Sequence, residues 1–173
     1  MDLRYPIGPF KFDGEPSESQ LKQFISDIGQ TPARLRAALA GLTEEQIETP
    51  YRPGGWTVRQ VVHHIPESHM NAYVRMKLAL TEDNPTIKPY DEARWAETPE
   101  VQATPIKVSL TMLEALHQRW VTLLKGLKPA EFARTFAHPE SGVWTLGKYI
   151  ALYSWHGKHH VAHITSLRER MGW

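Results

Sequence analysis

The 173-residue chain contains no cysteine. That excludes disulfides, a thiolate nucleophile and every thiolate-ligated metal or iron–sulfur centre, and it agrees with a reducing cytoplasm. An excess of one charge is missing too: 20 Lys and Arg face 19 Asp and Glu, a net charge of +1. A dedicated binder of nucleic acid or of an anionic membrane needs clustered positive charge, so neither partner is expected. No run of about 18 apolar residues occurs, so no membrane span is expected. The stretch from Met1 to Phe10 lacks the apolar core of a secretory signal, and a cytoplasmic protein is the expectation. The rest is ordinary globular composition, 41% hydrophobic and 23% charged, with the length of one domain over residues 1–173. Histidine stands out: nine are present, four of them between His156 and His163.

The apolar residues recur with helical spacing. Ser17 can cap a helix with Gln20 three residues on, and Leu21, Phe24, Ile25 and Ile28 then form one stripe. The stripe resumes after Pro32 with Leu35, Leu39 and Leu42, so one bent helix or two abutting ones are expected. Thr43 and Gln46 form a second capping box for a short turn. Thr57 and Gln60 open a long helix to about Leu80. A loop rich in Pro, Asp and Glu follows from Glu82 to Pro105. A third long helix covers about Ile106 to Lys125, and a fourth begins near Thr145. Period-two alternation is nearly absent, so the reading is all-α. Gly41-Leu42 before Trp56-Thr57 is echoed by Gly126-Leu127 before Trp144-Thr145. Two pseudo-repeated helical hairpins of this kind cannot each bury an apolar stripe alone, and a four-helix bundle is the economical packing.

Chemistry is expected in the last helix. Histidines four apart stack on one face about 6 Å apart, near enough to share a metal ion. His156 with His160 and His159 with His163 both have this spacing. The apolar face is set by Leu146, Tyr149, Ile150, Tyr153, Ile164 and Leu167; His156 and His160 lie on it, whereas His159 and His163 lie further off. The inward pair is therefore His156 and His160. A third ligand must come from elsewhere, and the second long helix offers His63, His64 and His69. His63 points away from the face of Val58, Val61, Ile65, Ala72 and Met76 and reads as solvated, His64 is on its flank, and His69 is nearer its centre. Periodicity does not choose His64. Pro66 lacks a backbone donor and should kink the helix nearby.

The string from Pro50 to His64 (PYRPGGWTVRQVVHH), then Ser68-His69-Met70-Asn71-Ala72-Tyr73, resembles the YfiT-type metal-dependent hydrolases of the DinB-like superfamily of metal-binding four-helix bundles. The segment Pro85 to Glu92 and the tail from Trp155 to Ile164 look like the same family, and the resemblance spans nearly the whole chain. It implies one ligand eight residues after the tryptophan that opens the second helix, here His64, and two from the H-x-x-x-H of the last helix, here His156 and His160. Pro66 departs from the family's usual residue. Homodimerisation and a small-molecule substrate are further implications of the resemblance.

Three neutral imidazoles suit zinc, nickel, copper or iron, with zinc or nickel the favoured cofactor, and three protein ligands leave a position for a reactant. Water activated there makes a hydrolase; a low-molecular-weight thiol held there makes an S-transferase, as in wider relatives. A metal that only stabilises the bundle is the non-catalytic alternative. Around the site, Ser68, Asn71 and Arg75 share the stripe of His64, with Arg75 the natural partner for a carboxylate or phosphate. Glu67 is a candidate general base, and His163 is either a residue that holds a ligand's tautomer or simply an exposed one. Tyr149, Tyr153 and Trp155 read as core, and Trp56 and Trp144 as staples packing loops onto the bundle.

Overall fold

The computed structural model describes residues 2–173. Four long helices carry the fold: α1 (Glu18–Leu39), α3 (Val58–Thr81), α6 (Ile106–Gly126) and α7 (Leu146–Met171). Each of three capping boxes closes both ways, at Ser17 with Gln20, Thr43 with Gln46 and Thr57 with Gln60; Thr145 accepts from the Lys148 amide to start α7. These side chains satisfy backbone N–H groups that a helix start leaves unpaired. Thr43 starts the short α2 (Glu44–Ile47). The expected loop after α3 holds two more short helices, α4 (Glu92–Trp95) and α5 (Pro99–Ala103). Helix α1 continues through Pro32, and α3 through Pro66, without interruption. No helix among the described residues is long and apolar enough to cross a membrane.

The all-α expectation needs one amendment. After a 3-10 turn (Pro129–Ala133), strands β1 (Thr135–His138) and β2 (Gly142–Thr145) form an antiparallel hairpin, with Phe136 paired to Trp144 and His138 to Gly142. Four-residue strands carry too little alternation to be read locally. This pair is fixed by distant contacts: Phe136 is fully buried, and the Pro85 carbonyl and Ile87 amide bond to Ala137 at 2.9 and 3.0 Å.

Both halves follow the same order of long helix, short turn and long helix opened by Trp-Thr. Within the bundle α1 packs against α7 and α6, and α3 packs against α6 and α7. Helices joined through a short turn, α1 with α3 and α6 with α7, therefore lie across the bundle rather than side by side. Helices α1 and α7 approach closely at a glycine. A Cβ built on Gly157 would lie 2.5 Å from Thr31 Oγ1 and 2.9 Å from its Cγ2. Thr31 is buried and tied to the Asp27 carbonyl at 3.1 Å, so it has no room to swing aside. Gly157→Ala should therefore lower the unfolding free energy by about 1–3 kcal/mol, despite alanine's preference for helix of about 1 kcal/mol. Thr31→Ala in the same chain should return most of the loss, read from urea midpoints.

The core has two apolar clusters. One gathers Ile25, Ile28, Met76, Trp120, Phe136, Tyr149 and Ile150; the other gathers Leu35, Val58, Val61, Ile65, Leu113, Ile164 and Leu167. On α3, α6 and α7 the residues between these clusters are histidines. His69 lies between Ile65 and Ala72, His117 between Leu113 and Trp120, and His156 and His160 between Tyr153 and Ile164. A layer of imidazoles thus divides the interior. Burying such a layer is tolerable only if its nitrogens find partners.

Candidate metal centre

Helices α3 and α7 bring His64, His156 and His160 together, one ring nitrogen from each lying within 4.8 Å of the others. Ring centroids are 5.4 Å apart for His64 and His156, 4.8 Å for His64 and His160, and 4.4 Å for His156 and His160. The three rings line a cavity of about 480 Å³ with Trp56, Ser68, Arg75, Tyr90, His138, Tyr153 and Trp155, and with Glu92 and Glu140. Helix α3 supplies His64, Ser68 and Arg75 from one stripe, as the helical period dictates. Asn71, expected on that stripe, turns back and donates to the Glu67 carbonyl at 2.9 Å, and neither Asn71 nor Glu67 lines the cavity. Burial raises the Glu67 pKa from its ordinary value.

Hydrogen bonds fix which nitrogen of His156 and of His160 carries its proton. His117 Nδ1 lies 2.7 Å from the Ile28 carbonyl, which can only accept. A neutral His117 therefore has its proton on Nδ1 and a lone pair on Nε2. That lone pair lies 2.8 Å from His69 Nδ1, which must donate; His69 Nε2 then accepts from His156 Nδ1 at 3.0 Å. His156 is left with an unprotonated Nε2. A second chain reaches His160. His163 Nε2 donates to the Arg4 carbonyl at 3.0 Å, so His163 Nδ1 accepts from His160 Nδ1 at 3.3 Å, and His160 Nε2 is also left as a lone pair. His163 thus occupies the supporting position expected of it. The same service from His69 and His117 was missed at the sequence level. The signal existed for His117, four residues after Leu113 and three before Trp120 on the buried stripe of α6.

These rings stay neutral at neutral pH. Burial pushes His64 and His117 down to about 4 and His159 to about 4, with His163 adding to the effect at His64 and His159. Burial, then neighbouring imidazoles, hold His69, His156 and His160 well below the ordinary value of 6.5. A histidine whose pKa falls on folding binds more protons when unfolded, so its stability contribution is complete above the unfolded pKa and is lost as pH falls toward the folded one. Stability should accordingly decline as pH drops from 6.5 toward 4, the window set by His64 and His117. Urea titrations across that range would check it; a flat midpoint would contradict it.

The donor set fits a divalent transition metal. It is all nitrogen, neutral and convergent, and two of its three rings present a lone pair by the chains above. The third, His64, has a buried Nδ1 that no hydrogen-bond partner reaches among the described residues. His159, His160 and His163 form a second group with the same closeness. There His163 has both nitrogens engaged and does not line the cavity, and His160 has one lone pair to give. One expectation is corrected: His63 is buried rather than solvated, its Nδ1 2.7 Å from Ser109 Oγ across on α6. His159 and His163, further from the centre of the apolar face of α7, are buried as well, because Tyr5 packs on His159 and Tyr51 stacks on His163 at 4.0 Å. Trp56 does more than staple a loop: its ring lies 4.7 Å from that of His64.

Fold and site together define a helical bundle with a histidine pocket between its rods, and comparison with known proteins gives that class a name. Residues 27–164 match the DinB superfamily, and the chain belongs to it. It is 56% identical to a Bacillus mycoides protein over 99% of each chain, and 54% identical to an Oceanobacillus iheyensis protein over 100% of each; both carry the name "Putative metal-dependent hydrolase". Among solved structures, YfiT from Bacillus subtilis matches with a TM-score of 0.97 and 46% identity, over 100% of this chain and 99% of that one. YfiT is described as a probable metal-dependent hydrolase with an unusual four-helix bundle topology. A four-helix bundle protein, TT2238, shares the fold at 18% identity and a TM-score of 0.56.

Proposed function

We propose that this chain is a metal-dependent hydrolase of a small molecule, its metal held by His64, His156 and His160. The carrying observation is the convergence of those three neutral rings on a cavity large enough for a small substrate. The names of its relatives support the same reading. Zinc and nickel are the metals this nitrogen set suits best. Such an ion, when bound, supplies Lewis acidity and lowers the pKa of coordinated water toward 7.

The chain's own residues do the rest. The hydrogen-bonded chains through His69 and His163 hold the His156 and His160 rings in one tautomer and one orientation. Ser68 Oγ, 3.2 Å from Tyr153 Oη and 3.4 Å from His156 Nε2, places a hydroxyl beside the reacting position. Trp56, Tyr90 and Trp155 wall the cavity with ring surface. His69→Leu should weaken divalent metal binding about 10–100-fold, while His69→Gln, which can accept from His156 and donate to His117, should recover much of the loss. Competition with a chelating dye would measure both.

The deciding experiment measures metal content of the purified protein, strips it with a chelator, and assays ester, amide and phosphoester hydrolysis before and after zinc or nickel is returned. Hydrolysis that follows the metal supports the proposal. Conjugation that requires an added thiol, without hydrolysis, would overturn the hydrolase reading in favour of S-transfer. Metal that raises the melting temperature with no turnover of either kind would leave a stabilising site. Homodimerisation belongs to the same proposal, and a monomer in sedimentation equilibrium removes it.

A further inference from the structure

Arg75 is 8% exposed and lines the same cavity as the three histidines. Its Nη1 donates to Tyr149 Oη at 3.0 Å and its Nη2 to the Lys88 carbonyl at 3.2 Å, and its guanidinium carbon lies 5.9 Å from the centre of the Tyr90 ring. All three neighbours are neutral as they stand. Among the described residues no carboxylate comes within ion-pair distance of Arg75, although Glu92 and Glu140 line the same cavity. Among the described residues every other strongly buried charged side chain is compensated. Arg59 has Glu44 and Glu48, and Asp27 has Lys158 and Arg34.

An arginine stays charged at any working pH, and a buried charge without a counter-charge is costly. Of its five N–H donors two are engaged, which leaves three for a ligand. The two engaged bonds brace the guanidinium plane from Tyr149 on α7 and from the loop at Lys88. A braced, unpaired guanidinium is a receptor for a carboxylate or phosphate, the groups its fork matches in pairs of bonds.

We infer that Arg75 binds the anionic group of the substrate, so the molecule processed here carries a carboxylate or phosphate at a distance from the reacting bond. The helix sets that distance. Arg75 follows His64 by eleven residues, about 16 Å along the axis, and side chains lean toward the helix N-terminus, which shortens the gap between its guanidinium and the imidazoles without closing it. The acidic group and the reacting group of the substrate are therefore separated by several bonds. Trp56, Tyr90 and Trp155 offer ring surface to the part between. The inference rests on this cavity being the active site, and its test is separable from the metal.

The probes are inorganic phosphate and acetate, titrated into the protein as purified and into three variants. Binding is followed by calorimetry and by the Arg75 Nε–H resonance. Wild type and His160→Ala should both bind and shift that resonance, because the anion site does not need the ligand set. Arg75→Gln should bind about tenfold or more weakly, the loss of about 1.4 kcal/mol or more expected for a charge-assisted pair, while keeping its metal. Arg75→Lys keeps the charge without the fork, and it should fall between, with phosphate retained better than acetate. Anion binding that is the same in Arg75→Gln and in wild type overturns the inference, as does an unmoved Arg75 resonance in wild type. Anion binding lost in His160→Ala but kept in Arg75→Gln places the anion on the metal and overturns it too. A preference for phosphate or for acetate in wild type identifies which acidic group the substrate carries.

Discussion

His160→Ala should abolish stoichiometric metal binding. The ring it removes is the one closest to both other candidate ligands, 4.4 Å from His156 and 4.8 Å from His64 by ring centroids. Two imidazoles on different helices would remain, without the third donor that makes a tight site. The deletion also strands His163 Nδ1, which loses the N–H it accepts. Affinity should fall by more than the roughly 100-fold that loss of a supporting hydrogen bond alone can cost, about 3 kcal/mol. Added zinc or nickel should raise the melting temperature of wild type and leave the variant unmoved, because a ligand stabilises only the state that binds it. Elemental analysis after purification without added metal gives the direct count. A variant that still carries a full equivalent would move the site away from these three residues.

Trp120→Ala should give the largest loss of stability, about 3–5 kcal/mol out of a typical total of roughly 5–15 kcal/mol. Its side chain is fully buried between the apolar cluster below and the imidazole layer above. Its Nε1–H points at Met76 Sδ at 3.1 Å, and its ring meets His69 at 5.7 Å, His117 at 5.8 Å and Tyr153 at 5.5 Å, edge to face in each case. Removing it opens a void against two hydrogen-bonded imidazoles. Water entering that void competes for His117 Nε2 and His69 Nε2, so metal affinity should fall along with stability. Trp120→Phe keeps most of the volume and should cost less than half as much. Urea unfolding measures the first effect, and a chelator competition the second; a loss below about 1 kcal/mol would mean the layer collapses onto the space.

What the sequence made legible follows from which forces act locally. Helix starts at Ser17, Thr43 and Thr57 were readable because a capping box is complete within four residues. The choice of His156 and His160 over His159 and His163 followed from the apolar face of α7; the structure gathers that pair with His64, and it sets His159 on the wall of the same cavity. Periodicity failed wherever burial comes from another element. His63 is covered by Ser109 of α6, and His163 by Tyr51 and the Arg4 carbonyl, partners distant in the chain. The β1–β2 hairpin is held by the segment around Pro85 to Ile87, so its four-residue strands carried no local mark. His64 was placed by family resemblance, and its helical phase alone did not select it. Arg75 was on the correct stripe, but its lack of a counter-charge is a fact of three dimensions.

The opening residues lie against the last helix. The Arg4 carbonyl accepts a hydrogen bond from His163 Nε2–H, the Gly8 carbonyl accepts one from the Trp155 indole N–H at 3.1 Å, and Tyr5 rests on His159. A polypeptide stretch usually regarded as disposable is therefore a structural neighbour of the ring that orients His160. Laboratory handling inherits that dependence. A protease nick after the eighth position would take the acceptors of Trp155 and His163 with it, more than 140 residues away along the chain.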